Sequence, residues 1–320
     1  MNKFIIRQSL ILMITASIWG VAFVAQSVGM EYIGPFTFNA VRFFLGGLVL
    51  LPFITLRKYQ SGNKKREVSI EKKKDKTLVW KSGLLCGVIL CTASSLQQTG
   101  MKYTSVGKAG FITAMYIVIV PILGIFLKKI PGIRLWAGVL IALSGLYLLC
   151  MKESFSLSKG DFIELLCAFV FSFHILVIDA VSDKVDGVLL SCIQFFVSSL
   201  ISAVLMFSLE QPQIQQILTA WKPILYTGIL SCGVAYTFQI IGQRGMNPAV
   251  ASMIMSLESV ISAIAGFLIL GQVMNSREIT GCALMFFAII LVQLPERRKK
   301  LQSVREPLKN SVKSESAEIV

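Results

Sequence analysis

The sequence predicts an all-α integral membrane protein: ten transmembrane helices, arranged as two inverted five-helix repeats around a central cavity, with both termini cytoplasmic. Three observations carry that expectation. The 320 residues are 55% hydrophobic and only 15% charged, with a mean hydropathy of +0.73, a balance far outside the soluble range. Apolar runs of spanning length, roughly 20 residues, recur along the whole chain. The chain also matches itself when slid along its own length.

The spans are expected at 9–30, 35–56, 80–101, 105–127, 134–151, 161–182, 187–208, 223–243, 249–271 and 278–294. The first follows Lys3 and Arg7 and so resembles a signal peptide. Its apolar run from Gln8 to Met30 is too long for a signal core, and the next span follows at once. Pro121 falls inside the fourth span and is expected to kink or locally break it. The sixth has a short uninterrupted apolar core, Leu165–Ile178, with His174 inside. Gly46, Gly47, Gly124 and Gly266 read as small faces for close helix approach. The resulting units are an N-terminal stretch 1–8, a first repeat 9–151 with a basic loop at 57–79, a second repeat 152–295, and a tail 296–320. The tail is charged and lacks apolar periodicity, so it reads as disordered.

The net charge of +14 could suggest a nucleic-acid binder, but its distribution argues for a membrane instead. With the N-terminus inside, 24 of the 31 Lys and Arg fall in cytoplasmic segments, ten of them between residues 57 and 81. Such an excess marks cytoplasmic loops. The basic loop is a topology signal and solvated linker, or a site for anionic lipid headgroups. All seven cysteines lie inside spans without metal-ligand spacing, so they read as packing residues, and no metal or cofactor is expected.

At a shift of 152 the first two spans fall on the sixth and seventh: Arg42-Phe43-Phe44 on Gln194-Phe195-Phe196, Leu48 on Leu200, Ala16 on Ala168. At a shift of 142 spans three and four fall on eight and nine: Gln97 on Gln239, Gly100 on Gly242, Ile112 on Ile254, Gly124 on Gly266. Five spans per half means that the second half enters the membrane inverted. Inverted repeats recur in secondary transporters, with the site near the midplane between the halves.

These segments also resemble a known family. SIWGVAFVAQ, NAVRFFLGGLVLLP and KYTSVGKAGFITAMYIVIVPILGIFL are similar to the first EamA repeat of the drug/metabolite transporter superfamily. GMNPAVASMIMSLESVISAIAGFLILGQ is similar to the second, including its Ser256-Leu257-Glu258 element. The resemblance spans about residues 9–294. It implies ten helices, a central cavity, and movement of small metabolites, often amino acids, usually outward. Phe171-Ser172-Phe173-His174 departs from the Trp-Ala-x-Tyr-like element common in span six.

Polar residues inside spans are the candidate site. Glu258 stands about nine residues, roughly 13 Å, inside the ninth span, near mid-membrane. It is expected to bind a cationic or amine group, or to take up a proton, or else to accept a helix–helix hydrogen bond. Tyr116 occupies the corresponding position of the fourth span. His174, the single histidine, lies at comparable depth, either paired with Glu258 across the cavity or bonded to a helix backbone or hydroxyl. Arg42, about 10 Å below the outer surface, either attracts a carboxylate or stays structural, paired with an acid or snorkelling outward. Trp19 and Tyr116 reach mid-depth and wall the cavity or simply pack; Gln97 and Gln239 bond across helices or gate. Asp161, Glu164 and Asp179 sit near span ends, where solvation is available, and need no special role.

The expected function is therefore secondary transport of a small-molecule substrate across the cell membrane. No Walker-type Gly–Lys loop is present to bind ATP. Proton coupling, exchange and facilitated diffusion are all permitted, and oligomeric state is left open. Among transporters, a drug or amphipathic-compound exporter is the alternative to a metabolite exporter. A membrane acyltransferase is suggested only by His174-x4-Asp179, residues about 140° apart around a helix and so not facing one site. That reading also gives the repeat no role; a non-transporting receptor or scaffold is the third reading, and neither predicts flux in pure liposomes.

Overall fold

The computed structural model describes residues 3–63, 76–104, 106–129, 131–150, 158–270 and 274–294. Among these residues every regular element is helical. Nine stretches are long and apolar enough to cross a membrane, and Ile133–Leu149 is a shorter apolar helix. A helix satisfies its own backbone, which hydrocarbon cannot do, so an all-helical chain is what a bilayer selects. Large apolar side chains such as Leu84, Leu200, Phe207 and Leu268 face outward, where lipid would cover them.

The helices are α1 (Lys3–Gly29), α2 (Pro35–Asn63), α3 (Lys76–Gly100), α4 (Val106–Thr113), α5 (Tyr116–Phe126), α6 (Ile133–Cys150), α7 (Lys159–Val181) and α8 (Gly187–Leu209). Next come two short turns of helix, α9 (Ile214–Thr219) and α10 (Trp221–Leu225), and a π-helical stretch, Tyr226–Tyr236. The last are α11 (Thr237–Gln243), α12 (Pro248–Met255), α13 (Glu258–Leu270) and α14 (Ser276–Gln293). Local chemistry sets several starts. Ser158 and Asp161 form a capping box on α7, as Asn275 and Glu278 do on α14. The Asp186 side chain caps α8, and Asn247 followed by Pro248 opens α12.

Three boundaries differ from expectation. Helix α1 begins at Lys3, inside the stretch read as an N-terminal tail, and α2 continues through Asn63 into the basic loop. The remainder of that loop, 64–75, and the tail 295–320 lie outside the described residues. The fourth span does break, but at Ala114–Met115 rather than at Pro121, which stays inside α5. There the hydrogen bonds tighten: Ile117 N–H donates to Ala114 O, three residues back. The ninth span tightens in the same way at Ser256–Leu257, where Leu257 N–H donates to Ile254 O. The two breaks stand 142 residues apart, at matched positions of the aligned segments.

Packing follows the alignment as well. Helix α2 lies along α8, α6 along α14, and α3 against α7 and α8; α1 lies against α13 and the π-helical stretch, and α4 and α5 pack on α7. At the α2–α8 contact, aligned residues meet each other. Phe43 stacks on Phe195 with ring centroids 6.1 Å apart, and Phe44 meets Phe196 edge-on at 6.1 Å. A residue that touches its own counterpart is what a two-fold relation requires near its axis. The largest buried cluster joins α1, α4, α5, α6, α7, α12, α13 and α14 around Ile117, Leu146, Met253 and Ile254.

Two glycines set close approaches. A Cβ on Gly20 would stand 2.7 Å from Glu258 O and 2.6 Å from Ile261 Cβ, so α1 presses directly on the start of α13. A Cβ on Gly46 would reach Cys232 Cβ at 2.5 Å. Gly124 does not repeat this: its nearest neighbour is an ordinary 3.6 Å away, so the expected small-face role holds at Gly46 but not there.

Candidate functional site

A cavity opens between α1, α2, α3, α7, α11, the π-helical stretch and the two broken spans, α4–α5 and α12–α13. Only about 40 Å³ of it is open to the centre of a water molecule, space for on the order of a few waters. Six of the seven expected site residues line it: Trp19, Arg42, Gln97, Tyr116, Gln239 and Glu258. His174 does not. It is wholly buried behind the wall, its Nε2 3.1 Å from Gln194 Oε1 and its ring edge-on to Tyr236. Its bond is thus with Gln194 rather than with Glu258.

The break at Ser256–Leu257 puts Glu258 first in α13, buried and beside Gly20 of α1. The break at Ala114–Met115 puts Tyr116 first in α5. The Tyr116 hydroxyl donates to Glu258 Oε1 at 2.9 Å. The Arg42 guanidinium is also buried, which corrects the expectation that it pairs with an acid or snorkels outward. Its Nη1 donates to Gln26 Oε1 at 2.6 Å, and its charge lies 4.9 Å from the Phe43 ring centroid and 5.4 Å from that of Phe38. Cation–π contacts at these distances hold a desolvated cation without neutralising it. Arg42 Nε and Trp19 Nε1 are buried with no hydrogen-bond partner among the described residues.

Sequence reasoning missed eight lining residues: Phe23, Gln26, Thr113, Phe171, Ile175, Ser231, Tyr236 and Met255. The alignment could have supplied several. At the two shifts, Trp19 pairs with Phe171, Phe23 with Ile175, Gln97 with Gln239, Thr113 with Met255 and Tyr116 with Glu258, and every one of these residues is on the wall. Tyr236 and Ser231 carried no signal, because they depend on the π-helical stretch.

The acids near the start of α7 are not solvated, contrary to expectation. Asp161 is buried in its capping box and accepts from Thr104 Oγ1. Glu164 is wholly buried, accepting from Thr113 Oγ1 at 2.9 Å. The cause is the packing of α7 on α3, where a Cβ on Gly100 would meet Glu164 Oε1 at 2.7 Å. Asp179 is paired with Lys129, so it and His174 have separate partners and form no common acid–base site.

A family model described as the EamA-like transporter family matches residues 7–151 and again residues 158–294. An uncharacterized transporter of Archaeoglobus fulgidus is 28% identical over 285 residues, covering 88% of this chain and 84% of that one. The uncharacterized transporter YwfM of Bacillus subtilis is 25% identical, covering 91% and 95%. The uncharacterized inner membrane transporter YedA of Escherichia coli is 21% identical, covering 93% and 94%. A solved crystal structure superposes with a TM-score of 0.71 at 19% identity, covering 92% of this chain and 99% of that one, which shows a common fold.

Proposed function

The chain belongs to the EamA-like transporter family, and from that premise we propose that it is a secondary transporter exporting small zwitterionic metabolites, amino acids or related compounds, by alternating access. The observation that carries the substrate class is that one cavity holds a buried cation, Arg42, and a buried acid, Glu258. A carboxylate fits the Arg42 guanidinium, which forms bidentate charge-assisted bonds. An ammonium fits Glu258. Trp19, Phe171 and Tyr236 between them suit an apolar side chain.

In this conformation the cavity is too narrow for such a molecule, so admission requires the halves to part. Two inverted repeats, 9–151 and 152–295, would do this by exchanging conformations about the site. The paired breaks, the Phe43–Phe195 contact and the double family match support that division. The charge distribution supports cytoplasmic termini, since the excess of Lys and Arg marks the inner side.

The test compares culture-medium metabolites from cells producing the wild type, Glu258→Gln, or neither, with membrane levels of both proteins matched. A compound that accumulates outside only with the wild type supports export and identifies the substrate. Equal media in all three strains would count against export, and uptake into liposomes would then be measured.

A further inference from the structure

The cavity has a second carboxyl behind its wall that recognition of a zwitterion does not use. Glu164 lies on α7, wholly buried. Its Oε2 accepts the Thr113 hydroxyl at 2.9 Å, and its Oε1 is buried without a hydrogen-bond partner. Thr113 ends α4 and lines the cavity, three residues before Tyr116 across the break. One hydroxyl therefore separates Glu164 from the space that holds Glu258.

The other neighbours leave that carboxyl without a counter-charge. On α7 itself the ionisable neighbours are Asp161, one turn toward the Lys159 end, and the Cys167 thiol. Helix α3 contributes the Gly100 backbone; Cys91 lies nine residues before it, about 13 Å along the helix, and the turn just after it carries Lys102 and Tyr103, both exposed, with Lys159 lying over the Tyr103 ring. The described side chain of α4 at Glu164 is Thr113. Helix α5 brings Tyr116, already committed to Glu258, and Lys129 beyond it pairs with Asp179. Helices α11 and α12 carry no ionisable residue.

We propose that Glu164 is a proton-binding site that exchanges its proton with the cavity through the Thr113 hydroxyl. Intramembrane acids with a polar route to a cavity are the usual material of proton relays. The step balances. Thr113 gives its hydroxyl proton to Glu164 Oε2, and the hydroxyl oxygen takes a proton from hydronium in the cavity. One O–H bond breaks at Thr113 and one forms there, leaving Thr113 neutral and Glu164 protonated. Rotation of the carboxyl places the new O–H at either oxygen. Asp161, one turn nearer the helix start, lies on the same face of α7 and continues the polar track toward the membrane surface.

The role of this proton in transport rests on the function proposed above; its binding does not. The test is therefore made without substrate. Full-length protein in lipid nanodiscs is taken through a pH jump and followed by infrared difference spectroscopy, which reads protonated carboxyl groups directly. The expected result is a carboxyl band that disappears in Glu164→Gln, survives in Glu258→Gln, and both shifts and forms at least tenfold more slowly in Thr113→Val. Glu164→Gln keeps an acceptor for Thr113, and unchanged amide bands check its fold. Should that variant not fold, Glu164→Asp is expected to shift the same band. A band unaltered by substitution at 164 would overturn the site, and one unaltered in frequency and rate by Thr113→Val would overturn the route. A failed export assay alongside a positive titration would count against the transporter reading alone.

Discussion

The Tyr116 hydroxyl donates to Glu258 Oε1 at 2.9 Å, and these two residues occupy the same position in aligned halves of the chain, 142 residues apart. Each is also the first residue of a helix that restarts after a tightened turn. The bond therefore ties the two broken spans together at the cavity.

Glu258→Gln is expected to abolish or strongly reduce transport while insertion and folding persist. The amide keeps the shape and can still accept from Tyr116, but loses the charge that meets an ammonium. Bonds to charged groups contribute roughly 1.5–3 kcal/mol, equivalent to about ten- to hundredfold in rate or affinity. Flux in liposomes reconstituted with equal amounts of each protein measures this. Undiminished flux would make the acid purely structural.

Tyr116→Phe removes one hydroxyl from the same bond. The expected cost is about 1 kcal/mol of stability and a smaller loss of flux than Glu258→Gln gives. The two substitutions are also expected to be non-additive, because groups in direct contact couple by roughly 0.5–3 kcal/mol. Thermal unfolding of the two single variants and the double variant checks it; simple additivity would mean that the bond contributes nothing.

Arg42→Gln separates the two ends of the proposed substrate. Competition by amino acids is expected to weaken about tenfold or more, while competition by the matching amines without a carboxylate changes little. A desolvated guanidinium recognises a carboxylate specifically. An equal loss for both series would assign Arg42 to holding Gln26, Phe38 and Phe43 in place.

Gly20→Ala tests the α1–α13 approach. The added methyl would stand 2.7 Å from Glu258 O, which is backbone and cannot swing away. Overpacking of this kind costs roughly 1–3 kcal/mol. A lowered unfolding temperature together with reduced flux is expected; a variant as stable as the wild type would show that the two helices separate easily.

Much of this architecture was legible in the sequence, and the illegible part has a physical cause. Spanning helices announce themselves as apolar runs, and Glu258 stands out because charge is rare inside them. Sliding the sequence along itself matched Gln97 with Gln239, and both line the cavity. The helix breaks were not legible, because neither Ala114–Met115 nor Ser256–Leu257 contains a proline or glycine; the tightening is imposed by packing rather than by local preference. Pro121 pointed to a break six residues too late. Glu164 looked solvated because it is five residues from the start of α7, and only the close approach of α3 at Gly100 buries it. The partner of His174 was hidden for the same reason, since Gln194 meets it across two helices.

The wall pairs described above are not all alike in chemistry. Gln97 faces its counterpart as glutamine against glutamine, whereas Thr113 is matched by Met255 and Tyr116 by Glu258. For a carrier that works by exchanging the conformations of its halves, identical halves would give the same half-saturation from both sides of the membrane. On the proposed mechanism these mismatches would remove that equivalence: the two orientations would differ in free energy, and the empty carrier would rest in one of them more than in the other. Net direction would still follow the gradient, while the mismatched pairs would set how readily each side fills the site.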